Sequence, residues 1–308
     1  MNNKFEFENL HAKMKIDSEN LCRNLVQKII KSQQKFKKQG ALIGLSGGLD
    51  SSLVTVLSVR ALGKEQVKVL LLPDSESNQV HLKDAYELAR DLGIQWEVID
   101  ITPFLKDLKI KKYGFASNIP FQNKIKSYLF KKAHCYYQKI SGEPPFASYI
   151  KGLSDKPYHD YIRRGQAILH AKHRFRMLIL YYYAELEDRM VIGCTNKTEQ
   201  KIGLFVKFGC DHLADIMPII GLYKTQVRQL ARYLEIADHI INKAPSPDLL
   251  PGLDDQTMIG LSYEEIDLIL LAHENNWLPE DISQLLNIAP EHVVYVLDLV
   301  YYARSKRD

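Results

Sequence analysis

Apolar residues recur at helical spacing between residues 17 and 38, where Leu21, Leu25, Ile29 and Ile30 share a face and Asp17 or Ser18 can cap the start. Ala41 to Leu45 is a short apolar run opening into Ser46-Gly47-Gly48, which predicts a buried strand entering a turn. Helical periodicity resumes from Ser51 to Leu62 and stops at Gly63. Val67 to Leu72 is a second buried strand ended by Pro73, Leu82 to Leu92 a helix ended by Gly93, and Trp96 to Ile101 a third strand. Strands alternating with helices predict parallel pairing through right-handed crossovers. Further along, the pattern predicts a helix from about Gln166 to Glu187 and a fourth strand from Met190 to Cys194. A short fifth strand at Ala214 to Ile219 and a helix at Thr225 to Leu234 follow. The tail from Ser262 to Lys306 reads as helical, with Ser262 and Glu265 spaced as a capping box. The expected fold class is α/β, a doubly wound parallel five-stranded sheet with helices on both faces, in one domain spanning residues 1–308.

The alternation breaks between about residues 105 and 165. Lys106, Lys109, Lys111, Lys112, Lys124, Lys126, Lys131, Lys132 and Lys139 crowd this stretch, and Asp107 is the only acid from 105 to 139. Tyr113, Phe115, Phe121, Tyr128, Phe130, Tyr136 and Tyr137 interleave with them. A structureless loop of that length is uncommon, so an insertion with its own helices, or a lid, is expected.

Composition narrows the class. Hydrophobic residues make up 46% of the 308 and charged residues 25%, ordinary for a globular protein. The net charge of +4 suits anionic small molecules or RNA and demands neither. Cys22, Cys135, Cys194 and Cys210 form no C-x-x-C pair, which argues against zinc ribbons and a disulfide scaffold. Met1 to Glu8 carries no apolar core of a signal peptide. The longest apolar stretch, Met177 to Ala184, falls well short of the ~20 residues a bilayer span needs. The expectation is a cytoplasmic protein with no membrane partner.

The sharpest chemical signal is Gly44-Leu45-Ser46-Gly47-Gly48-Leu49-Asp50-Ser51-Ser52, set between a strand and a helix. Glycines let backbone amides approach an anion closely, and Ser46, Ser51 and Ser52 add hydroxyl donors. The positive end of the following helix points at the same place. Asp50 is a carboxylate in an anion site, which calls for a cation beside it; Mg²⁺ bridging phosphate oxygens is the natural choice. No Gly-Lys-Ser/Thr follows, so this is not a Walker A loop.

The loop resembles the S-G-G-x-D-S pyrophosphate loop of the N-type ATP pyrophosphatases. In that superfamily an oxygen attacks the α-phosphate of ATP, pyrophosphate leaves, and a nitrogen or sulfur nucleophile displaces AMP. Further segments resemble the ammonia-dependent NAD synthetase family. Lys172-His173-Arg174-Phe175-Arg176-Met177 is similar to K-A-R-x-R-M, and Ile192 to Glu199 carries a counterpart of G-T-x-N-K-S-E. Gly203 to Gly209 resembles G-Y-F-T-K-Y-G, Pro218 to Lys224 resembles P-x-x-x-L-x-K, and Lys243 to Leu249 resembles K-x-P-S-A-D-L. Gly260 to Asp267 is similar to G-x-S-Y-E-x-I-D.

The resemblance implies an adenine-nucleotide alpha-hydrolase-like fold. It implies ATP contacts at Gly44, Ser46, Gly47, Gly48, Asp50, Ser51, Ser52, Leu72, Cys194, Lys224 and Ser246, with Asp50, Lys224 and Ser246 at the reacting centre. It implies substrate contacts at Arg174, Arg176, Lys207, Asp215 and Lys306, and Mg²⁺ between Asp50 and Glu199. The implied activity is adenylation of the carboxylate of deamido-NAD and its amidation by ammonia, free or delivered by a separate glutaminase, in a homodimer. Departures fall on the substrate side: His170, Cys194, Cys210-Asp211-His212 and Ser305-Lys306 replace the family's residues. Amidation of another carboxylate by the same chemistry, such as nicotinate mononucleotide, therefore stays open. So do a tRNA-modifying member of the superfamily, to which the basic aromatic insertion is suited, and a non-catalytic nucleotide binder on the same fold. Nucleic acid is not the expected partner.

Overall fold

The computed structural model describes residues 10–107, 123–152, 159–210, 212–243 and 255–307. The first helix, α1 (Ser18–Phe36), starts where the Asp17 carboxylate accepts from the Asn20 N–H and ends at Lys37 in the left-handed region. It lays Cys22, Leu25 and Ile29 on the sheet. The strands are β1 (Gly40–Gly44), β2 (Val67–Leu71), β3 (Gln95–Val98) and β4 (Arg189–Val191). They are parallel in the order β3-β2-β1-β4, with Ala41 opposite Val67 and Leu42 opposite both Lys68 and Val191. Helices α2 (Leu49–Leu62), α3 (Gln79–Asp91) and α4 (Thr102–Asp107) follow the first three strands.

Alternation along the strands sorts two cores. Ala41, Ile43, Val69 and Leu71 face α1, α2 and α9 (Lys224–Tyr233). Leu42, Leu70 and Val191 face Met177, Leu180 and Ala184 of α7 (His159–Leu186). Helices therefore cover both faces, as expected. Each fully buried leucine contributes about 1.5–3 kcal/mol relative to an exposed one.

The expected fifth strand is a correction. Among the described residues the sheet has four strands, and residues 214–219 add only an isolated parallel bridge between Ile192 and Ile216. A side chain takes over the ladder there: the Val191 N–H donates to the Asp215 carboxylate at 2.7 Å, while the Asp215 N–H donates to the Val191 carbonyl at 3.0 Å. Pro218 then brings a residue with no N–H to donate.

The region expected as an insertion contributes α5 (Asn123–Ser141), α6 (Pro145–Lys151) and the first turns of α7, which begins at His159 rather than near Gln166. Lys109, Lys111, Lys112, Tyr113, Phe115 and Phe121 lie outside the described residues. Lys151 ties α6 to Asp298 of the C-terminal helix at 2.8 Å and to Glu143 at 3.4 Å. Beyond β4 come α8 (Lys197–Ile202), α10 (Asp238–Ile241) and α11 (Asp255–Ile259). The helical tail is three helices: α12 (Tyr263–Glu274), α13 (Pro279–Leu286) and α14 (Pro290–Arg307). Pro279 and Pro290 each open a helix, where the missing N–H costs nothing. These helices share a third core with α6 and α8, built on Ile202, Ile266, Ile269, Val293 and Val296.

Candidate active site

The carboxyl ends of β1, β2 and β4 open into a cleft of about 1160 Å³, where parallel sheets bind ligands. Its floor is the serine-glycine loop. Gly47 has φ of +76°, and a Cβ there would sit 2.0 Å from the His81 carbonyl oxygen, so only glycine fits. Serine hydroxyls cinch the turn. Ser51 Oγ donates to the Gly48 carbonyl at 3.1 Å, Ser52 Oγ donates to the same carbonyl at 2.8 Å, and the Gly48 N–H donates to Ser46 Oγ at 3.2 Å. Lys243 fastens the loop to α3, donating to the Gly47 carbonyl at 2.9 Å and pairing with Asp84. Gly48 is the N-cap of α2, whose amide dipoles point into the cleft with no capping side chain in the way.

Asp50, Glu199 and Lys224 meet beside this loop. Lys224 Nζ pairs with the Asp50 carboxylate and donates to Glu199 Oε1 at 3.2 Å. The lysine is only 3% exposed. Burial works against its charge, but Asp50 and Glu199 outweigh it and hold the ammonium above its ordinary range. Asn196, fully buried, links the two carboxylates. Its Nδ2 donates to Asp50 Oδ1 at 3.0 Å, and its Oδ1 caps α8 by accepting the Glu199 N–H at 3.0 Å. Beneath the ammonium lies the ring of Tyr263, whose hydroxyl donates to Asp255 at 2.7 Å. Burial, then Asp255, pushes the Tyr263 hydroxyl well up, so it stays protonated.

The residues expected around the nucleotide fall as follows. Gly44, Ser46, Gly48, Asp50, Ser51, Leu72, Cys194, Glu199 and Lys224 line the cleft. Gly47 and Ser52 shape the loop from behind. Ser246 lies outside the described residues. Two carboxylates converging on one cation suit a hard divalent ion with oxygen ligands; the donor set fits Mg²⁺.

The expected acid-substrate residues are more scattered. Arg176 lines the cleft, but its guanidinium donates to the Leu72 carbonyl at 3.0 Å and to Asp74 at 3.2 Å. Lys172 joins it on Asp74 at 3.1 Å, so the anion that these two cations share is a buried carboxylate of the protein. Arg174 is exposed and donates to the Lys207 carbonyl at 3.2 Å; neither residue lines the cleft. Asp215 lies at the sheet edge, bonded to Val191 and to the Tyr181 hydroxyl, and does not line the cleft either. Lys306 belongs to the last turn of α14. Cys210 lies 3.2 Å from His173 Nδ1, whereas His212 stacks on Phe205.

Among the groups that line the cleft, His134, Phe146 and Tyr149 carry no signal of their own in the sequence. Helices α5 to α7 roof the cleft with His134, Tyr137, Phe146, Tyr149 and His170, the last two joined at 3.0 Å. Asn196, Tyr263 and Asp267 sit inside two segments that the family resemblance rests on, yet nothing in their type marks a role.

Comparison with known proteins adds an independent line. The sequence profile of the family described as NAD synthase matches residues 20–127 and 126–308. The NH(3)-dependent NAD(+) synthetase of Coprothermobacter proteolyticus is 40% identical over 249 residues, covering 81% of this chain and 83% of that protein. That of Thermotoga maritima is 36% identical, covering 90% and 94%. Among solved structures, the NH3-dependent NAD synthetase from Campylobacter jejuni, in complex with the nitrate ion, superposes with a TM-score of 0.67 at 26% identity, covering 95% of this chain and 97% of that one. The NMN synthetase from Francisella tularensis gives the same TM-score and identity, over 96% and 97%. With the phosphate loop, the three-residue charge centre and a family profile spanning nearly all of it, the chain belongs to the NAD synthase family.

Proposed function

We propose that the protein is an ammonia-dependent, AMP-forming NAD synthetase. It adenylates the carboxylate of deamido-NAD with ATP and amidates it with ammonia to give NAD, AMP and pyrophosphate. The observation that carries this reading is the buried Lys224 ammonium, held between Asp50 and Glu199 beside an open helix N-terminus.

The triphosphate lies on the Ser46–Ser52 loop, where backbone amides donate to its oxygens. The substrate carboxylate oxygen attacks the α-phosphorus, the bond to the β-phosphate bridging oxygen breaks, and that electron pair leaves on pyrophosphate. Lys224, the α2 amides and Ser246 stabilise the charge that accumulates on the phosphoryl oxygens. Asp50 and Glu199 would hold Mg²⁺, which when bound neutralises the triphosphate and its leaving group. Ammonia then adds to the acyl carbon, loses a proton, and AMP departs with the oxygen that joined it. The roof formed by α5 to α7 keeps water from the mixed anhydride, whose hydrolysis would waste ATP. Leu178, Tyr182 and Leu186 form an exposed apolar stripe on α7, four residues apart, which we assign to the homodimer interface.

An oxygen-transfer experiment tests the chemistry. Deamido-NAD labelled with ¹⁸O in its carboxylate should yield AMP carrying one ¹⁸O atom; unlabelled AMP would rule out acyl-adenylate formation. A second reading has its own support, the equal structural likeness to the NMN synthetase. On that reading nicotinate mononucleotide is the acid, and it would be amidated with a higher kcat/KM than deamido-NAD.

A further inference from the structure

One buried carboxylate lies behind the charge centre and touches none of it. Asp267, on α12, is fully buried and bonds to two elements at once. Its Oδ1 accepts the Thr198 hydroxyl at 2.5 Å and its Oδ2 accepts the Thr225 N–H at 2.8 Å. Thr198 Oγ1 in turn accepts the Lys224 N–H at 2.9 Å. Thr198 immediately precedes Glu199 on the first turn of α8, and Thr225 immediately follows Lys224 on the first turn of α9. The chain Asp267–Thr198–Lys224 thus pins two helix starts together, and those starts carry Glu199 and Lys224. Sealing a carboxylate away from water is costly unless its oxygens are satisfied. Here both are spent on donors from the segments that present the reacting charges.

We infer that Asp267 and Thr198 are positioning residues for adenylation: they set the separation between Glu199 and Lys224 without touching ATP or the acid. Rate falls steeply when a charged group is displaced by about 1 Å from the position that the transition state needs. Ground-state binding of ATP, spread over the Ser46–Ser52 loop, is far less sensitive. Loss of the relay therefore lowers kcat more than it changes KM. The inference rests on the reading of the centre as an ATP-adenylating site.

Thr198→Val removes the hydroxyl while keeping side-chain volume, and Thr198→Ser keeps the hydroxyl and loses only a methyl. AMP formation is measured for both with saturating deamido-NAD, Mg²⁺ and ammonium. Rates are expressed per ATP-binding site from equilibrium titration, so that unfolded protein does not count. The valine variant is expected to lose about 30-fold in kcat or more, with KM for ATP within about threefold of the wild type. The serine variant is expected to stay within about threefold in both. Asp267→Asn, which cannot accept from both donors at once, is expected to follow the valine variant. A valine variant with wild-type kcat overturns the inference, and so does a loss that the serine variant shares equally, which would mean methyl packing. Wild-type protein that forms no AMP would instead overturn the assignment of the centre itself.

Discussion

Lys224 and Asp50 are separated by 174 residues in sequence and joined by an ion pair at the mouth of the phosphate loop. Folding brings the first turn of α9 against the first turn of α2, so one cation serves two carboxylates, Asp50 and Glu199. Lys224 is thus the counter-charge of both carboxylates, and under the proposed chemistry it would also donate to the phosphate oxygens.

Lys224→Met should lower AMP formation by about 10²-fold or more, the usual cost of losing one charge-stabilising donor. It also leaves Asp50 and Glu199 facing each other without a cation. Added Mg²⁺ should therefore raise the melting temperature of the variant by more than it raises that of the wild type, as scanning calorimetry would show. Equal shifts would argue against a metal at these carboxylates.

Gly47→Ala should destroy the loop. Its Cβ would enter the His81 carbonyl, and its φ of +76° disfavours any side chain. ATP affinity is expected to fall at least about tenfold and stability by about 1–3 kcal/mol, read by calorimetric titration and denaturant unfolding. Wild-type ATP affinity would mean that the turn does not shape the nucleotide site.

Burial lifts the Asp267 carboxyl to about 6. A folded value above the unfolded one, about 3.9, means that the folded state holds the proton more tightly. This group's contribution to stability therefore rises as pH falls through about 6 and levels off below about 3.9. Asp267→Asn has no such titration. Urea unfolding at several pH values should show wild-type stability gaining on the variant by up to about 3 kcal/mol between about pH 7.5 and 4. A difference that does not change with pH would contradict the burial argument.

Lys151→Ala should loosen the roof by cutting α6 from Asp298 and Glu143. These bonds are partly exposed and worth little to stability, about 1 kcal/mol or less. The expected sign is chemical: AMP released in excess over the amide, because water reaches the mixed anhydride. A one-to-one ratio would move the water-excluding role to another segment.

Tyr182→Asp should disrupt association along the exposed α7 stripe. Sedimentation is expected to show a dimer for the wild type and a monomer for the variant. A wild-type monomer, or a variant that still dimerises, would place the interface elsewhere.

Much of this was legible in the chain because the phosphate loop is local. Gly44 to Ser52 carries its own strand, turn and cap within one short segment, so no distant residue is needed to read it. Lys224 and Glu199 were reachable only through resemblance, since an isolated lysine or glutamate on a helix is ordinarily solvated. Asp74 was illegible. Its partner Arg176 is 102 residues away, and nothing in the sequence says that a basic helix face will spend itself on a buried internal acid. Helix α8, six residues long, is too short to show a period. The fifth strand failed for a related reason: an aspartate side chain occupies the place of a backbone carbonyl, and apolar patterning does not register that exchange.

The most direct test is to incubate the protein with ATP, Mg²⁺, ammonium and deamido-NAD and to follow NAD and AMP by chromatography. An acyl-adenylate mechanism at the Asp50 centre predicts NAD and AMP in equal amounts, both lost in Asp50→Ala. AMP forming only when a different carboxylate is supplied, or NAD forming undiminished in Asp50→Ala, would contradict it.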